Sequence, residues 1–210
     1  MSAQKVLEII LATKVIAVIR MSDPGKLAEV SEAIRRGGVR AIEITMTTPS
    51  ALRIIARMAA AKPAGTLIGA GTVLDGRSAE QVIGAGADFV VSPVTDAGMI
   101  AACKRTDTFV APGAFTPIEI LAAWEKGADV VKVFPASSVG PQYFRDLRGP
   151  LPQIRLMPTG GVNLQNAREF IRSGACCVAI GTALLDKEII AAEDWEGLVE
   201  KTKALVESLS

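Results

Sequence analysis

The sequence of 210 residues predicts a single-domain (β/α)8 barrel of the α/β class, and two observations lead to this prediction. First, short apolar segments alternate eight times with stretches of helical periodicity. Second, four glycines suited to follow a helix recur at intervals of 41 to 48 residues, at positions Gly38, Gly86, Gly127 and Gly174. A period of about two βα units, repeated four times, is expected of a closed barrel of eight parallel strands.

The predicted strands are short and mostly apolar, as parallel strands covered on both faces are. They are Val15–Arg20, Ala41–Met46, Leu67–Val73, Phe89–Ser92, Thr108–Ala111, Val130–Phe134, Arg155–Pro158 and Cys177–Gly181. Residues 1–12 form an amphipathic pattern that predicts an additional N-terminal helix, and residues 194–209 predict a closing helix. We expect residues 1–210 to form one domain, because no linker or low-complexity segment interrupts the pattern.

Three helix starts are indicated by local sequence. Asp23–Pro24 offers a cap followed by proline, and both Ser78–Gln81 and Thr116–Glu119 have the spacing of a capping box. An open, doubly wound sheet is the alternative fold. It would normally carry a glycine fingerprint after its first strand, and the turn Arg20–Asp23 contains no glycine.

Composition excludes several classes of function. The 23 basic and 22 acidic residues leave a net charge of +1, which gives no electrostatic footprint for nucleic acid or an anionic membrane. The N-terminus does not resemble a signal peptide, and no apolar stretch reaches membrane-spanning length. The three cysteines lack metal-ligand spacing and are expected to be core thiols in a reducing compartment. We therefore expect a cytoplasmic enzyme.

Histidine is absent from the chain. This excludes Ser-His and Cys-His nucleophiles and histidine-containing zinc sites. We expect no metal and no cofactor. Catalysis must therefore use lysine, acidic groups, arginine, hydroxyls and backbone amides.

Lys132 is the most informative residue, because it lies inside the otherwise apolar segment 128–135. An ammonium group in a buried strand must be paired, reach water or lose its proton. A structural ion pair or a lysine that extends out of the strand end remains an alternative. A desolvated lysine with a lowered pKa is a nucleophile towards carbonyl compounds.

Other polar residues fall at the predicted carboxyl ends of strands, where barrels place their chemistry. We expect Arg20, Glu43 and Lys132 to be the charged residues of an otherwise apolar interior. Arg20 could instead mark the exit of its strand into solvent, and Glu43 could serve only as the ion-pair partner of Lys132. The loops Thr159–Asn163 and Gly181–Ala183 expose backbone N–H groups at the positions where barrels commonly bind phosphate, although two plain glycine turns are the alternative.

Five motifs occur in order at these strand ends: Ile42–Thr45, Gly69–Val73, Ser92–Pro93, Lys132–Ala136 and Pro158–Val162. Together they resemble the 2-keto-3-deoxy-6-phosphogluconate (KDPG) aldolase family, which includes 4-hydroxy-2-oxoglutarate (KHG) and phosphogalactonate aldolases. The resemblance covers roughly residues 5–190. It implies a metal-free class I aldolase that acts on a small, phosphorylated 2-keto acid. It also implies that the protein is a homotrimer.

The resemblance implies that Lys132 is the Schiff-base lysine and Glu43 the general acid/base. The resemblance implies that the other residues matching the family's motifs bind substrate. Arg20 and Thr72 would hold the pyruvyl carboxylate, Pro93 and Phe134 would wall the pocket, Thr159 would approach the hydroxyls near the cleaved bond, and Gly160, Gly161, Gly181 and Thr182 would bind the distal phosphate.

One position departs from the family pattern: many members have arginine where this chain has Thr47. The expected reaction is cleavage of KDPG to pyruvate and glyceraldehyde 3-phosphate, and also of KHG to pyruvate and glyoxylate. A phosphogalactonate aldolase is one alternative. A sugar-phosphate isomerase, with Glu43 as base and Lys132 as its electrostatic partner, and a non-catalytic sugar-phosphate sensor are the others.

Overall fold

The computed structural model describes residues 1–21 and 24–209. The strands are β1 Val15–Ile19, β2 Ala41–Thr45, β3 Leu67–Gly71, β4 Phe89–Val91, β5 Phe109–Ala111, β6 Gly113–Ala114, β7 Val131–Val133, β8 Leu156–Pro158 and β9 Val178–Ile180. The helices are α1 Ala3–Thr13, α2 Leu27–Arg36, α3 Ala51–Ala61, α4 Gly76–Gly84, α5 Ala97–Arg105, α6 Pro117–Glu125, α7 Gly140–Arg148, α8 Ala167–Arg172, α9 Lys187–Ala191 and α10 Trp195–Ser208. Short 3-10 turns occupy Pro24–Lys26 and Ala136–Ser138.

The parallel strands curl into a closed barrel. One sheet has the order β5-β4-β3-β2-β1-β9 and the other has the order β6-β7-β8. A parallel bridge between Thr159 and Ala179 joins β8 to β9, and β5 continues into β6 through Pro112. The (β/α)8 prediction is confirmed and the open sheet is wrong. The predicted fifth strand, Thr108–Ala111, is present as β5, and the short strand β6 that follows Pro112 was not predicted.

Alternation along each strand decides which side chains face the barrel interior. In β2, Ile42 and Ile44 pack outward with the cluster that joins strands to helices. Ala41 belongs to the separate cluster in the interior. Glu43 and Thr45 share its face and line the cavity above it. Every second side chain of β2 therefore faces the interior, and the polar ones lie at one end of it.

Helix α1 closes the amino-terminal end of the barrel, which confirms the additional N-terminal helix. Val6, Leu7 and Ile10 are buried in the interior cluster together with Phe89 and Phe109. The two phenylalanine rings meet edge to face, with centroids 6.3 Å apart. No helix within the described residues is long and apolar enough to cross a membrane.

The helix ends agree with the sequence in most places. Each of the four predicted glycines follows a helix with a positive φ, between 91° and 104°. The capping box of Thr116 and Glu119 is present. The predicted start at Ser78 is wrong, because Asp75 caps α4 and accepts the backbone N–H of Ser78. The predicted cap Asp23 lies outside the described residues.

Candidate active site

The carboxyl ends of the strands surround a cavity of about 1200 Å³. All eleven predicted site residues line it: Arg20, Glu43, Thr72, Pro93, Lys132, Phe134, Thr159, Gly160, Gly161, Gly181 and Thr182. They come from seven separate strands or the loops that follow them. The barrel thus brings together residues that are up to 162 positions apart in the chain.

Lys132 is the middle residue of β7, beside Gly113 of β6 and Met157 of β8. The side chain points inward, is 5% exposed, and places its Nζ 5.3 Å from the centroid of the Phe134 ring. Burial lowers the pKa of Lys132, the nearby Glu43 carboxylate opposes this effect, and the Arg20 cation adds to it. The net lowering of the pKa makes the neutral amine, which is the nucleophilic form, easier to reach than in an ordinary lysine.

Glu43 is 1% exposed and enters the same cavity from β2. Burial raises the pKa of Glu43, while the positive charges of Lys132 and Arg20 oppose the rise. Its Oε2 atom is buried and has no hydrogen-bond partner. A buried carboxyl oxygen without a partner is costly, and such a group is available to exchange protons with a molecule in the cavity.

Lys132 and Glu43 influence each other electrostatically without forming an ion pair. None of the ion pairs in the described part of the chain, each with N and O atoms within 4.0 Å, includes either residue. The alternative in which Glu43 simply neutralises Lys132 is therefore wrong. Both residues line the same cavity.

Arg20 lies one residue beyond β1 and is exposed. It lines the same cavity as Glu43 and Lys132, at the mouth, and its charge acts on both groups. Thr72 follows β3 directly and has a φ of 58°, a strained conformation for a β-branched residue. Pro93 and Phe134 complete the wall near Lys132.

The loop after β8 presents its backbone to the cavity. Gly160 and Gly161 have φ values of 84° and 77°, which only glycine adopts without strain. A methyl group on Gly161 would lie 2.5 Å from Cβ of Ser137, so the close approach of two loops also requires glycine there. Just before them, the buried Oγ1 of Thr159 has no hydrogen-bond partner. The loop therefore combines an unpartnered hydroxyl with open backbone amides.

Sequence reasoning missed one wall of the cavity. Lys26, Leu185, Lys187 and Ile190 line it from the segment after β1 and from helix α9 and the turn before it. Asp186 caps α9 by accepting the N–H of Glu188 at 2.9 Å. An aspartate directly before a short helical pattern was the available signal. Within the described residues, no three His, Cys, Asp or Glu side chains are grouped as metal ligands.

A buried amine with a lowered pKa and a separate buried carboxyl group, both at the carboxyl end of a (β/α)8 barrel, are the arrangement expected of an enzyme that reacts with carbonyl compounds through a lysine. The family model described as "Aldolase: KDPG and KHG aldolase" matches residues 6–201. The chain belongs to the KDPG and KHG aldolase family.

Individual relatives agree with this family. The chain is 30% identical over 210 residues to a 2-dehydro-3-deoxy-phosphogluconate aldolase of Haemophilus influenzae, covering 98% of this chain and 97% of the relative. It is 35% identical over 170 residues to a probable 2-dehydro-3-deoxy-6-phosphogalactonate aldolase of Rhizobium meliloti, covering 80% of each chain. A crystal structure of KDPG aldolase from Legionella pneumophila, with pyruvate captured as a covalent carbinolamine, is similar with a TM-score of 0.87 and 28% identity, covering 95% of this chain and 97% of that one.

Proposed function

We propose that this protein is a metal-independent class I aldolase that cleaves KDPG to pyruvate and glyceraldehyde 3-phosphate. The observation that carries the proposal is the buried Lys132 amine, whose pKa is lowered by burial, in one cavity with the unpaired Glu43 carboxyl group. Family membership gives the reaction class. Residues 1–210 act as one catalytic domain in this proposal.

The first half of the reaction forms a Schiff base. The neutral Nζ of Lys132 attacks the C2 ketone, and a proton passes from the new ammonium nitrogen to the ketone oxygen to give a carbinolamine. Glu43 then donates a proton to the departing hydroxyl group, and water leaves. The product is an iminium ion, which is an electron sink at C2.

The second half breaks the C3–C4 bond. Glu43, directly or through a water molecule, removes the proton of the C4 hydroxyl group. The electrons of the C3–C4 bond move towards the iminium to give an enamine, and the aldehyde leaves. A proton added at C3 and hydrolysis of the imine release pyruvate and restore the amine of Lys132.

The remaining residues orient the substrate. Arg20 binds the carboxylate, since its guanidinium group can donate to both oxygens, and Thr72 helps to hold the carboxylate from the end of β3. The unpartnered hydroxyl of Thr159 meets a substrate hydroxyl near the cleaved bond. The backbone amides of Gly160, Gly161 and Gly181, together with Thr182, receive the distal phosphate, while Pro93 and Phe134 wall the reacting carbons.

Two related substrates are alternatives within this chemistry. The relative from Rhizobium meliloti favours the phosphogalactonate epimer, and the family description includes KHG. Thr47 does not decide between them by direct contact, because it is exposed and lies outside the cavity lining. Its hydroxyl is 3.1 Å from that of Thr45, which does line the cavity. Assays with both C4 epimers and KHG rank the three substrates.

We also propose that the protein is a homotrimer in the cytoplasm. Four large apolar side chains are exposed on loops and helix starts after consecutive strands: Leu74, Val94, Phe115 and Ile118. Such residues on one rim favour burial against another subunit. The three cysteines are free thiols, as is usual in a reducing compartment. Light scattering of the purified protein measures the subunit number.

Covalent trapping tests the reaction class. The wild type, Lys132→Ala and the control Lys203→Ala are each incubated with pyruvate and borohydride, and their intact masses are measured. We expect a pyruvate-sized adduct on the wild type and on Lys203→Ala, whose lysine is exposed on α10, and none on Lys132→Ala. An active, folded wild type without an adduct would instead support the isomerase, and a protein without activity or adduct would support the sensor.

A further inference from the structure

Two adjacent cysteines, Cys176 and Cys177, directly precede β9 and lie towards the amino-terminal end of the barrel. Cys177 is fully buried in the interior apolar cluster, and Cys176 is partly buried against the same cluster. Neither residue lines the cavity in which the proposed reaction takes place. The two thiols therefore have no part in that chemistry.

The two thiols face each other, which adjacent residues of a regular strand do not do, because their side chains point to opposite faces. Here the backbone bends at Cys176, before β9 begins, and both side chains reach the same apolar cluster. Their Sγ atoms are 3.8 Å apart, within hydrogen-bond range for sulfur. Each thiol thus has a second thiol as its immediate neighbour.

The guanidinium group of Arg155 supplies positive charge beside Cys176. The backbone N–H of Cys176 donates to the carbonyl oxygen of Leu156, the residue after Arg155, at 2.9 Å. The guanidinium group is fixed, since its Nε donates to the carbonyl oxygen of Asp129 at 2.7 Å and its carbon lies 4.9 Å from the centroid of the Trp124 ring. Arg155 forms no ion pair with another described residue, so its charge remains available to a thiolate.

These surroundings make the two thiols unequal. The hydrogen bond between the thiols lowers the pKa of Cys176, burial opposes this effect, and the Arg155 cation adds to it. The same hydrogen bond and the burial of Cys177 raise the pKa of Cys177. Cys176 is both the more accessible thiol and the one that ionises more readily, and the thiolate is the form that oxidants attack.

We infer that Cys176 and Cys177 are a modification site, a thiol pair that hydrogen peroxide oxidises to a disulfide between adjacent residues. The thiolate of Cys176 attacks one peroxide oxygen, the O–O bond breaks, and the hydroxide that leaves takes up a proton to become water. The sulfur of Cys177 then attacks the sulfenic acid on Cys176. The S–S bond forms, the S–O bond breaks, and the hydroxyl group leaves as water with the proton of the Cys177 thiol. Two electrons and two protons pass from the thiols to the peroxide, which yields two water molecules.

The spacing of the two residues makes this oxidation reversible. Adjacent Cα atoms are about 3.8 Å apart across a trans peptide, whereas the Cα atoms of a disulfide are usually about 4.4–6.8 Å apart. A disulfide between Cys176 and Cys177 is therefore strained, and strained disulfides are readily reduced by other thiols. The pair is suited to reversible oxidation rather than to permanent cross-linking.

Peptide mass spectrometry tests the inference. Reduced protein is treated with hydrogen peroxide, alkylated with iodoacetamide in denaturant and digested with trypsin. Cleavage after Arg172 and Lys187 releases Cys176 and Cys177 in one peptide that contains no other cysteine. We expect this peptide to carry no alkyl group and to be lighter than its dithiol form by two hydrogen atoms. Brief treatment with dithiothreitol before alkylation should restore two alkyl groups.

Cys103 is the internal control. It lies on a separate tryptic peptide, is fully buried, and has its pKa raised to about 12 by burial. It should therefore be alkylated in full after peroxide treatment. The variant Cys103→Ser should form the disulfide as the wild type does.

Two variants assign the steps. Cys177→Ser should stop at the sulfenic acid on Cys176, which dimedone labels, because no second thiol resolves it. Cys176→Ser should leave Cys177 unoxidised, because Cys177 is buried and its pKa is raised. A wild type that keeps both thiols after peroxide treatment, or that stops at the sulfenic acid, would overturn the inference. Peptide masses decide this question whether or not the protein cleaves KDPG.

Discussion

The two ends of this barrel are built from the same strands and differ in what their inward side chains do. At the amino-terminal end, Leu67, Phe89 and Phe109 pack against Ile10 of α1, and all four are buried. At the carboxyl end, the same alternation places Glu43 and Lys132 in an open cavity. One end stabilises the fold through apolar contact, and the other retains two buried ionisable groups whose burial opposes their charged forms.

The comparison shows that stability and chemistry are separated along the barrel axis. The apolar cluster at the amino-terminal end excludes water, whereas the cavity at the carboxyl end must admit the substrate. Because the two ends share strands but differ in their inward side chains, changes at one end should alter activity and changes at the other should alter stability. Five experiments address this separation.

The largest effect is expected from Glu43→Gln. The amide keeps the shape of the carboxyl group but cannot transfer protons, so kcat should fall by about 10²- to 10⁴-fold. Thermal unfolding should not show a loss of stability, because a neutral amide replaces a carboxyl group that burial penalises when charged. Steady-state kinetics and calorimetry measure the two quantities, with the exposed Glu200→Gln as control. A variant that keeps wild-type kcat would remove Glu43 from the mechanism.

At the opposite end, Ile10→Ala should lower the free energy of unfolding by about 2–5 kcal/mol, because it leaves a cavity in a fully buried apolar cluster. Its kcat at a temperature where it remains folded should equal that of the wild type. Ile9→Ala, on the same helix but only partly buried, should cost less. Urea denaturation gives the free energies. A matching loss of kcat in Ile10→Ala would show that the two ends are coupled.

A smaller effect is expected from Gly161→Ala, which tests the backbone of the cavity loop. The added methyl group would meet Ser137 and occupy a residue with a φ of 77°, so the loop must shift. We expect KM for KDPG to rise about tenfold, since the amides no longer face the phosphate. Gly65 has the same φ of 77° and no neighbour within 4 Å of an added methyl group. If Gly65→Ala raised KM as much, the effect would not be local.

The smallest effect concerns the pH dependence of stability. The pKa of Lys132 is lower in the folded protein than the usual 10.5 of an unfolded chain. Between these two values the unfolded chain binds more protons, so the free energy of unfolding of the wild type rises with pH. Lys132→Met lacks this contribution. Its stability advantage over the wild type should therefore shrink as pH rises towards 10.5, and urea denaturation at several alkaline pH values measures the difference. A constant difference would contradict a lowered pKa.

Glu43 has the opposite dependence. Its pKa is raised above 4.5, so the folded protein binds more protons between 4.5 and the raised value. The free energy of unfolding of the wild type therefore decreases as pH rises through that window. Glu43→Gln should lack this decrease, which the same denaturation series at acidic pH detects.

The sequence predicted the barrel because the features that indicate its strands and helices recur regularly and each involve only a few adjacent residues. Buried strands, the glycines after helices and the capping box of Thr116 each depend on a few adjacent residues. The start of α4 was mispredicted for a similar local reason: Asp75 and Ser78 both carry capping groups, and only the folded backbone selects Asp75. The split between β5 and β6 depends on Pro112 together with the pairing partners on each side, which a single segment does not reveal.

The sequence predicted which residues line the candidate site, but it did not predict the distances between their side chains. Motif order placed Lys132 and Glu43 at strand ends, and strand alternation brought both into one cavity. Whether they form an ion pair depends on the curvature of the barrel between β2 and β7, which no motif encodes. The wall that contains Lys187 was missed because α9 has only five residues and little periodicity. Its position depends on the distant partners Lys26 and Lys201.

Two glycines on β3 have a consequence for attempts to change the substrate range of this enzyme. An added methyl group on Gly69 would collide with the ring of Phe89, and one on Gly71 would collide with the carboxyl group of Glu43. Mutant libraries that vary β3 would therefore consist mostly of inactive or unfolded members. Lys187 and Ala191 of α9 line the same cavity and are exposed, so randomisation of these two positions should yield more functional variants for each clone screened.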